Sequence, residues 1–201
     1  RAYVHRPNLR RHQCAIDAAA VPDALDAARL FETIVAVLTA AGYVWIGPDQ
    51  FVLDSDELAI AQAGGELHCN ALGYTARPRA HVLGFGAGAT GDVAGTAVHS
   101  ASLRATWAGL LETQRLPVTD AHRRNAEEAH CAEAAERLCC DLFVPAEHAD
   151  AAAARLQQFI AEGLVVRTAD GLCVTPRGHY ALARLRAALG PSDAALAPLL
   201  G

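Results

Sequence analysis

Residues 65–91 have the sequence GELHCNALGYTARPRAHVLGFGAGATG, which joins a short apolar run to an unusual density of glycine. The motif Gly73-Tyr74-Thr75 comes first, a basic turn follows, and glycine then recurs at positions 84, 86, 88 and 91. Backbone with so little side chain allows close approach by a ligand or by another backbone segment. We therefore expect this stretch to lie beside a bound group or a packed neighbour.

The sequence before this stretch predicts a helix that leads into a short strand. Asp23 is a candidate N-cap, apolar residues follow at helical spacing, and Gly42 is a candidate end of the helix. Residues 43–46, YVWI, are wholly apolar and predict a buried strand. A helix that feeds a buried strand is typical of α/β proteins, so we expect parallel pairing here. Residues 54–63 predict a helical turn or two, and residues 82–86, VLGFG, predict a second short strand.

After about residue 100 the sequence predicts a mostly helical module. We expect a helix over 100–113, a connection over 114–120, and a long helix to about residue 143 that Thr119 or Asp120 would cap. The remaining predicted elements are a helix from Pro145 to Gly163, a hairpin with Asp170-Gly171 at its turn, and a closing helix from Pro176 to Gly190. This order is that of a winged-helix module. Because residues 151–162 carry one Arg, we favour a packing domain over a DNA-binding one.

Composition and charge narrow the function classes. The 201-residue chain has a formal net charge of −5, its basic side chains are all Arg, and it contains no Met. A mildly acidic chain argues against a nucleic-acid partner, and the lack of a long apolar run argues against a membrane span. The basic N-terminal segment is not followed by an apolar one, so no secretory signal is predicted and a cytoplasmic location is expected. We also expect the sequence to be a piece of a longer chain.

The six cysteines do not form a metal-binding motif. They lie at positions 14, 69, 131, 139, 140 and 173 without a C-x-x-C pair, and predict free thiols. The candidate metal ligands are three close pairs: His12 with Cys14, His68 with Cys69, and His130 with Cys131. Neighbouring side chains on a helix or strand point in different directions, so such pairs rarely chelate one ion. We favour packing or surface roles and expect no metal ligands.

Several short motifs together resemble the C-terminal part of the oxygen-independent coproporphyrinogen III oxidases, a family of radical S-adenosylmethionine enzymes of haem synthesis. The matching motifs are Tyr3-Val4-His5-Arg6-Pro7, Ala41-Gly42-Tyr43, Asp56-Glu57-Leu58-Ala59, Gly73-Tyr74-Thr75 and Leu83-Gly84-x-Gly86. The resemblance implies an α/β fold. Residues 1–103 would form the C-terminal part of a partial (β/α) radical-SAM barrel, and residues 104–201 a mostly helical, winged-helix-like domain.

The resemblance also implies a reaction and two cofactors. Enzymes of this family oxidatively decarboxylate two propionates of coproporphyrinogen III to give protoporphyrinogen IX, with S-adenosylmethionine and a [4Fe–4S] cluster as cofactors. The cluster ligands lie on a C-x-x-x-C-x-x-C loop that this sequence lacks. We therefore expect the N-terminal barrel half to be a missing partner. We expect no catalytic residue in the present chain and no radical activity from it alone.

Two contacts to S-adenosylmethionine carry over from the family to this sequence. One falls on Val4, in the Tyr-x-His-x-Pro motif, and the other on Thr90, just beyond the Leu-Gly-x-Gly motif. Val4 is equally well explained as an interior barrel residue. Thr90 has the alternative of an ordinary loop residue after a strand, and only the motif favours the cofactor contact.

Other side chains also have a functional and a structural interpretation. Arg6, Arg10 and Arg11 match the propionates of the substrate, because Arg binds carboxylates in a bidentate manner. A solvated basic loop is the interpretation we favour for them. Tyr74 either faces the pocket or fills a gap beside the glycines.

Two alternatives to the enzyme stay open at this point. A haem-transfer chaperone of the same superfamily would use His5 and His68 as haem ligands, although Gly73-Tyr74-Thr75 favours the oxidase branch. A winged-helix binding module is the other alternative.

The sequence also departs from the family at one motif. Cys69-Asn70-Ala71-Leu72 replaces the Arg-Asn-Phe-Gln of the family and so lacks the Gln that lies near a second S-adenosylmethionine there.

Overall fold

The computed structural model describes residues 5–8, 11–70, 73–77 and 81–190. Val4 and Arg10, both singled out in the sequence, lie outside the described residues. Within these ranges the chain is α/β, with helices packed around four small antiparallel sheets. The strands described do not form a closed barrel.

The first long helix begins where its sequence predicts. Two short 3-10 turns, Arg11–Ala15 and Ala18–Ala20, precede helix α1, Ala24–Ala40. The Asp23 carboxylate accepts hydrogen bonds from the backbone N–H groups of residues 25 and 26 at 2.9 and 2.8 Å. It thereby satisfies donors that the first helical turn cannot pair, which confirms the predicted N-cap.

The strand after α1 is present, but its predicted parallel pairing is wrong. Strand β1, Tyr43–Ile46, pairs antiparallel with β2, Gln50–Leu53, and Trp45 lies opposite Phe51. Gly47 has a φ of +66°, a conformation that glycine adopts without steric cost, and it reverses the chain directly after β1. The strand therefore pairs with the next strand after a three-residue connection, and not with a strand reached across a helical crossover.

A second hairpin carries the Gly-Tyr-Thr motif. Helix α2, Glu57–Ala63, is capped by Asp56, whose side chain accepts a hydrogen bond from a backbone N–H of the first turn. Strand β3, His68–Asn70, then pairs antiparallel with β4, Gly73–Thr75. The helical turns predicted over 54–63 are confirmed.

The glycine-rich stretch enters a four-stranded antiparallel sheet that the sequence did not predict. Its strands, in spatial order, are β5 (His81–Val82), β6 (Thr90–Val93), β7 (Thr96–Ser100) and β8 (Val118–Arg123). The strand predicted over 82–86 is wrong beyond Val82, and the connection predicted over 114–120 contains the start of β8. A tight turn at Ala94 and Gly95, both at positive φ, joins β6 to β7. The sheet includes strands on both sides of residue 103, where a domain boundary stays a prediction.

One helix lies between β7 and β8 in the chain, and a second helix follows β8. Helix α3, Arg104–Glu112, lies within the predicted range, and α4, Ala126–Asp141, begins later than predicted. Asn125 is its N-cap, and a reciprocal hydrogen bond from its backbone N–H to the Glu128 carboxylate completes a capping box. The caps predicted at Thr119 and Asp120 are wrong because both residues belong to β8.

The last part of the described chain has the winged-helix order. Its elements are β9 (Phe143–Pro145), α5 (Ala146–Ala161), β10 (Val165–Arg167), β11 (Gly171–Val174), α6 (Pro176–Tyr180) and α7 (Leu182–Leu189). The predicted hairpin is confirmed as β10 and β11, with β9 as an unpredicted third strand beside β11. Pro176 lies in the first turn of α6 as predicted, but the closing helix divides at Ala181.

The main apolar core lies inside this C-terminal part. Helices α4, α5 and α7 pack on the three-stranded sheet, and their inward side chains are fully buried: Leu138, Val144, Leu156, Val165, Leu172, Leu182, Leu185 and Leu189. A smaller cluster of Ala61, Leu67 and Cys140 joins α2 to α4, and Tyr74 packs against both clusters. Among the described helices, none combines the length and apolarity that a bilayer crossing requires.

An aromatic cluster fastens the first hairpin to the C-terminal part. We use this name for Phe31, Trp45, Phe51, His179 and Tyr180. The Trp45 and His179 rings stack with centroids 3.5 Å apart and an angle of 6° between their planes. The other three rings contact Trp45 at centroid distances of 5.0 to 5.9 Å. The cluster therefore packs Trp45 of β1 against α6 and holds the two regions together.

Candidate functional site

The glycine-rich loop between β5 and β6 lies against its own chain. A Cβ atom on Gly84 would be 2.2 Å from the carbonyl oxygen of Thr90, and one on Gly91 would be 2.7 Å from the carbonyl oxygen of Val82. No side chain fits in such gaps, so both positions require glycine for backbone packing alone. Part of the close approach expected from the sequence is thus made by a neighbouring strand.

The other glycines of this loop leave its backbone open. Gly86 and Gly88 have φ values of +115° and +71°, and no heavy atom lies within 4 Å of the Cβ position at Gly86. Just before Gly86, the loop also holds two apolar side chains in solvent: Leu83 is 66% exposed and Phe85 is 89% exposed. Exposed apolar side chains beside open backbone are typical of a surface that another group covers.

Thr90, the described candidate contact to S-adenosylmethionine, begins β6 at the edge of this loop. It is half-buried and lies opposite His99 in the β6–β7 register, so both side chains project from the same face of the sheet. Thr90 is thus a strand residue and not the loop residue of the alternative interpretation, and its contact to S-adenosylmethionine stays a prediction. Val4, the other predicted contact, lies outside the described residues.

His99 is a polar neighbour of Thr90 that the sequence analysis missed. Its Nε2 atom lies 3.1 Å from the Ser102 hydroxyl. Its Nδ1 atom is buried and has no hydrogen-bond partner among the described residues. Buried ring nitrogens are normally paired, so this unpaired atom indicates a partner that the described residues do not supply, such as water or a ligand. The signal that could have found it is the alternation of β7, which puts His99 and Ala97 on one face.

Tyr74 of the Gly-Tyr-Thr motif packs between structural elements and makes a hydrogen bond inside the fold. Its hydroxyl donates a hydrogen bond to the carbonyl oxygen of Cys139, the two oxygens lying 3.2 Å apart. Burial raises the pKa of this hydroxyl above its usual value, so it remains a donor throughout the physiological range. The ring fills the space beside Gly47, whose Cβ position lies 1.9 Å from the hydroxyl oxygen. Tyr74 therefore ties the two hairpins to α4 and does not fill a gap beside the loop glycines.

A buried group of three thiols lies where β3 meets α4. Hydrogen bonds from Cys139 and Cys140 lower the pKa of the Cys69 thiol, against the opposing effect of burial. The same hydrogen bonds and burial raise the pKa values of Cys139 and Cys140. Two of the three thiols are adjacent on a helix, so the group lacks the spaced loop of three cysteines that a [4Fe–4S] cluster needs. The described cysteines do not fit that cofactor.

The remaining candidate residues from the sequence are arginines and histidines that are distant from Thr90 in the sequence. Arg6 and Arg11 are exposed, which agrees with a solvated basic segment. His68 lies with its Nδ1 atom 2.8 Å from the Glu136 carboxylate, so its ring is engaged by an acidic partner. His130 is exposed while its neighbour Cys131 is buried, which confirms that the two side chains point in different directions.

Comparison with solved structures defines the class of fold. The structure of coproporphyrinogen III oxidase (HemN) from Escherichia coli, described as a radical SAM enzyme, matches 93% of this chain and 46% of that chain. The TM-score is 0.85 and the sequence identity is 24%. The described architecture is therefore that of part of the HemN fold.

Comparison with curated proteins gives the particular relatives. The oxygen-independent coproporphyrinogen III oxidase of Synechocystis sp. is 29% identical over 92% of this chain and 43% of the relative. Its namesake from Paracoccus denitrificans is 32% identical over 88% of this chain and 42% of the relative. No family model matches the chain. The chain is thus related to the oxygen-independent coproporphyrinogen III oxidases, as its motifs predicted, and spans less than half the length of these relatives.

Proposed function

We propose that this chain is the C-terminal part of an enzyme that oxidatively decarboxylates two propionates of coproporphyrinogen III to give protoporphyrinogen IX. The observation that carries the proposal is the similarity over 92% of the chain to an enzyme of that name, together with the matching fold. The expected S-adenosylmethionine supplies the radical that begins such a reaction. The role of this chain is to position the cofactor and substrate and to exclude water.

The surface around Thr90 supports a cofactor contact. The side chains of Thr90 and His99 lie on one face of the four-stranded sheet, and the open backbone at Gly86 precedes Thr90 by four residues. An adenosyl group presents both an apolar ring and polar edge atoms, and this combination matches the open backbone and the free nitrogen. We assign Thr90 to packing against that group and His99 to a hydrogen bond with it.

The partner in the proposal is the N-terminal barrel half, which would carry the cluster loop. Helix α1 has an apolar stripe at helical spacing that faces solvent, with Leu30, Ile34 and Val37 exposed by 55%, 47% and 60%. Such a stripe normally packs against a neighbouring element. Because the relatives have more than half of their length outside the match, that extra chain is the occupant we assign to the stripe.

The chain alone is expected to be inactive, since its cysteines do not fit the iron–sulfur cluster. The test is anaerobic reconstitution with iron and sulfide, followed by iron–sulfur absorbance and by cleavage of S-adenosylmethionine. We expect neither signal from the isolated chain. A chimera in which this chain replaces the matching part of the Synechocystis relative should show both. A stoichiometric cluster with turnover in the isolated chain would refute the assignment of these functions to the missing half.

The Thr90 contact is tested in the same chimera. Thr90→Phe fills the face that we assign to the adenosyl group, so KM for S-adenosylmethionine should rise by about tenfold or more, as expected when a well-packed contact is lost. Thr96→Phe is the matched control, because Thr96 projects from the opposite face of the same sheet. Equal KM values for the two variants would contradict the proposed contact.

A further inference from the structure

Two helices of the C-terminal part bring two histidines and a glutamate together on the surface. His130 and Glu133 lie on α4 and His148 lies near the start of α5. One ligand atom from each of the three side chains lies within 4.8 Å of the others. The Nδ1 atoms of the two rings are 3.2 Å apart, and the His148 Nε2 atom is 3.4 Å from the Glu133 carboxylate.

The backbone geometry explains why these side chains converge. His130 and Glu133 are three residues apart on one helix, a spacing that places both side chains on the same face. The packing of α5 against α4 then brings His148 over that face, where its side chain is only 12% exposed. The position of one ring is therefore fixed by the fold, while the other two ligands lie at the solvent edge.

The separation of the ring nitrogens matches a tetrahedral metal site. Zinc–nitrogen bonds of about 2.0–2.1 Å at a tetrahedral angle put two ligand nitrogens about 3.3–3.4 Å apart. The observed 3.2 Å is close to that value. Each imidazole gives one nitrogen to an ion, so Glu133 completes the set by turning its side chain, which is 61% exposed and has room to move.

The donor types select the ion. Two imidazoles and one carboxylate suit Zn²⁺, whereas Mg²⁺ and Ca²⁺ prefer sites made of oxygen alone. A second carboxylate is close, because the Glu147 oxygen lies 3.9 Å from the His148 Nε2 atom. Because Glu147 approaches the ring nitrogen that does not face His130 and is adjacent to His148 on α5, we assign the fourth position of a tetrahedral site to water.

We propose that His130, Glu133 and His148 form a Zn²⁺ site that links α4 to α5. The ion would join two helices that both contribute to the main apolar core, and it would stabilise their packing because the folded chain alone presents the three ligands together. The site is separate in sequence and in element from the surface around Thr90. It therefore does not depend on the proposed enzymatic function.

The experiment is calorimetric titration of the metal-stripped chain with ZnCl₂, repeated with MgCl₂. We expect one equivalent of Zn²⁺ to bind and Mg²⁺ not to bind. Loss of a residue that only orients a metal ligand typically weakens metal affinity by about 10–100-fold. His130→Ala and His148→Ala each remove a ligand itself, so each should weaken Zn²⁺ binding by more than that. His12→Ala is the matched control, since it removes an exposed histidine outside the cluster and should leave the affinity unchanged.

Cobalt spectroscopy separates this site from binding at the thiols. Co²⁺ bound by the proposed ligands should show d–d bands without the intense near-ultraviolet charge-transfer band of thiolate ligation. His130 is exposed, so His130→Ala should retain the wild-type circular dichroism and report on binding alone. Thiolate bands in the wild type, no Zn²⁺ binding, or unchanged affinity in His130→Ala would each overturn the proposal.

Discussion

At the scale of single residues, glycine and tyrosine side by side explain how the hairpins meet. Gly47 turns the chain at positive φ, and the missing side chain leaves space for the Tyr74 ring, whose hydroxyl reaches the Cys139 carbonyl. The Gly47 carbonyl in turn accepts a hydrogen bond from His179 at 3.2 Å. One residue without a side chain therefore serves two packing contacts at once.

Gly47→Ala should destabilise the fold more than the same change at a glycine with free space. Gly65 is the matched control, because its φ is +69° and nothing lies within 4 Å of its Cβ position. An alanine at either position pays the cost of a left-handed backbone, about 1–2 kcal/mol. The clash with Tyr74 adds to that cost only at Gly47.

The measurement is the free energy of unfolding in urea for Gly47→Ala and Gly65→Ala. We expect both variants to have a lower free energy of unfolding than the wild type. The loss in Gly47→Ala should exceed the loss in Gly65→Ala by about 1 kcal/mol or more, which is the range of overpacking in a dense core. Equal losses in the two variants would show that the Tyr74 contact does not constrain Gly47.

The same residues show how far sequence reasoning extends at this scale. Thr90 could be singled out because a short motif precedes it. His99 could not, because its role depends on a strand pairing between residues nine positions apart. The space beside Gly47 is filled by a residue 27 positions later, a contact that no local pattern encodes.

At the scale of secondary structure elements, some helix starts and one hairpin were predictable, whereas the other sheet partners were not. Asp23 and Pro176 mark helix starts because capping chemistry is local to the sequence. Strand β8 has six exposed residues and no apolar alternation, so backbone pairing to β7 is what holds it. The pairing of β1 was mispredicted because a short, wholly apolar run looks alike in a hairpin and in a parallel strand, and in the structure only Ile46 of this run is buried.

The junction between β1 and α6 should weaken in mild acid through His179. Burial lowers the pKa of this imidazole below its usual value of 6.5, and the hydrogen bond to Gly47 opposes the shift only in part. A lowered pKa in the folded state means that the unfolded chain takes up the proton first as the pH falls. The contribution of His179 to stability is therefore complete above pH 6.5 and declines as the pH falls toward the folded pKa.

The check is the free energy of unfolding as a function of pH for the wild type and for His179→Phe. The phenyl ring keeps the stacking partner of Trp45 but cannot be protonated. We expect the stability difference between the two proteins to be constant above pH 6.5 and to shift in favour of the variant below it. Parallel curves across pH 5–8 would mean that His179 does not titrate with folding.

At the scale of the whole molecule, the chain has a well-packed C-terminal core and an incompletely covered N-terminal region. Among the described residues, every fully buried leucine except Leu67 belongs to the C-terminal part, while α1 and the glycine-rich loop expose large apolar side chains. The fold class followed from family motifs. Apart from the β10–β11 hairpin, the pairings in the four small sheets did not, because strands of two to six residues carry little pattern that identifies their partners.

The exposed stripe of α1 should make the isolated chain associate. Leu30, Ile34 and Val37 present apolar surface to solvent, so we expect concentration-dependent association in sedimentation velocity. Ile34→Glu should reduce it, and Leu116→Glu, at an exposed position outside α1, should not. A monodisperse wild-type monomer at high concentration would contradict the need for a covering partner.

The most direct test of the central claim is conversion of coproporphyrinogen III by the chimera described above. We predict that the chimera forms protoporphyrinogen IX anaerobically and only in the presence of S-adenosylmethionine, and that the isolated chain forms none. We also predict that Thr90→Phe slows the conversion far more than Thr96→Phe. A chimera that binds the cluster and cleaves S-adenosylmethionine but leaves coproporphyrinogen III unchanged would contradict the claim that this chain is part of such an oxidase.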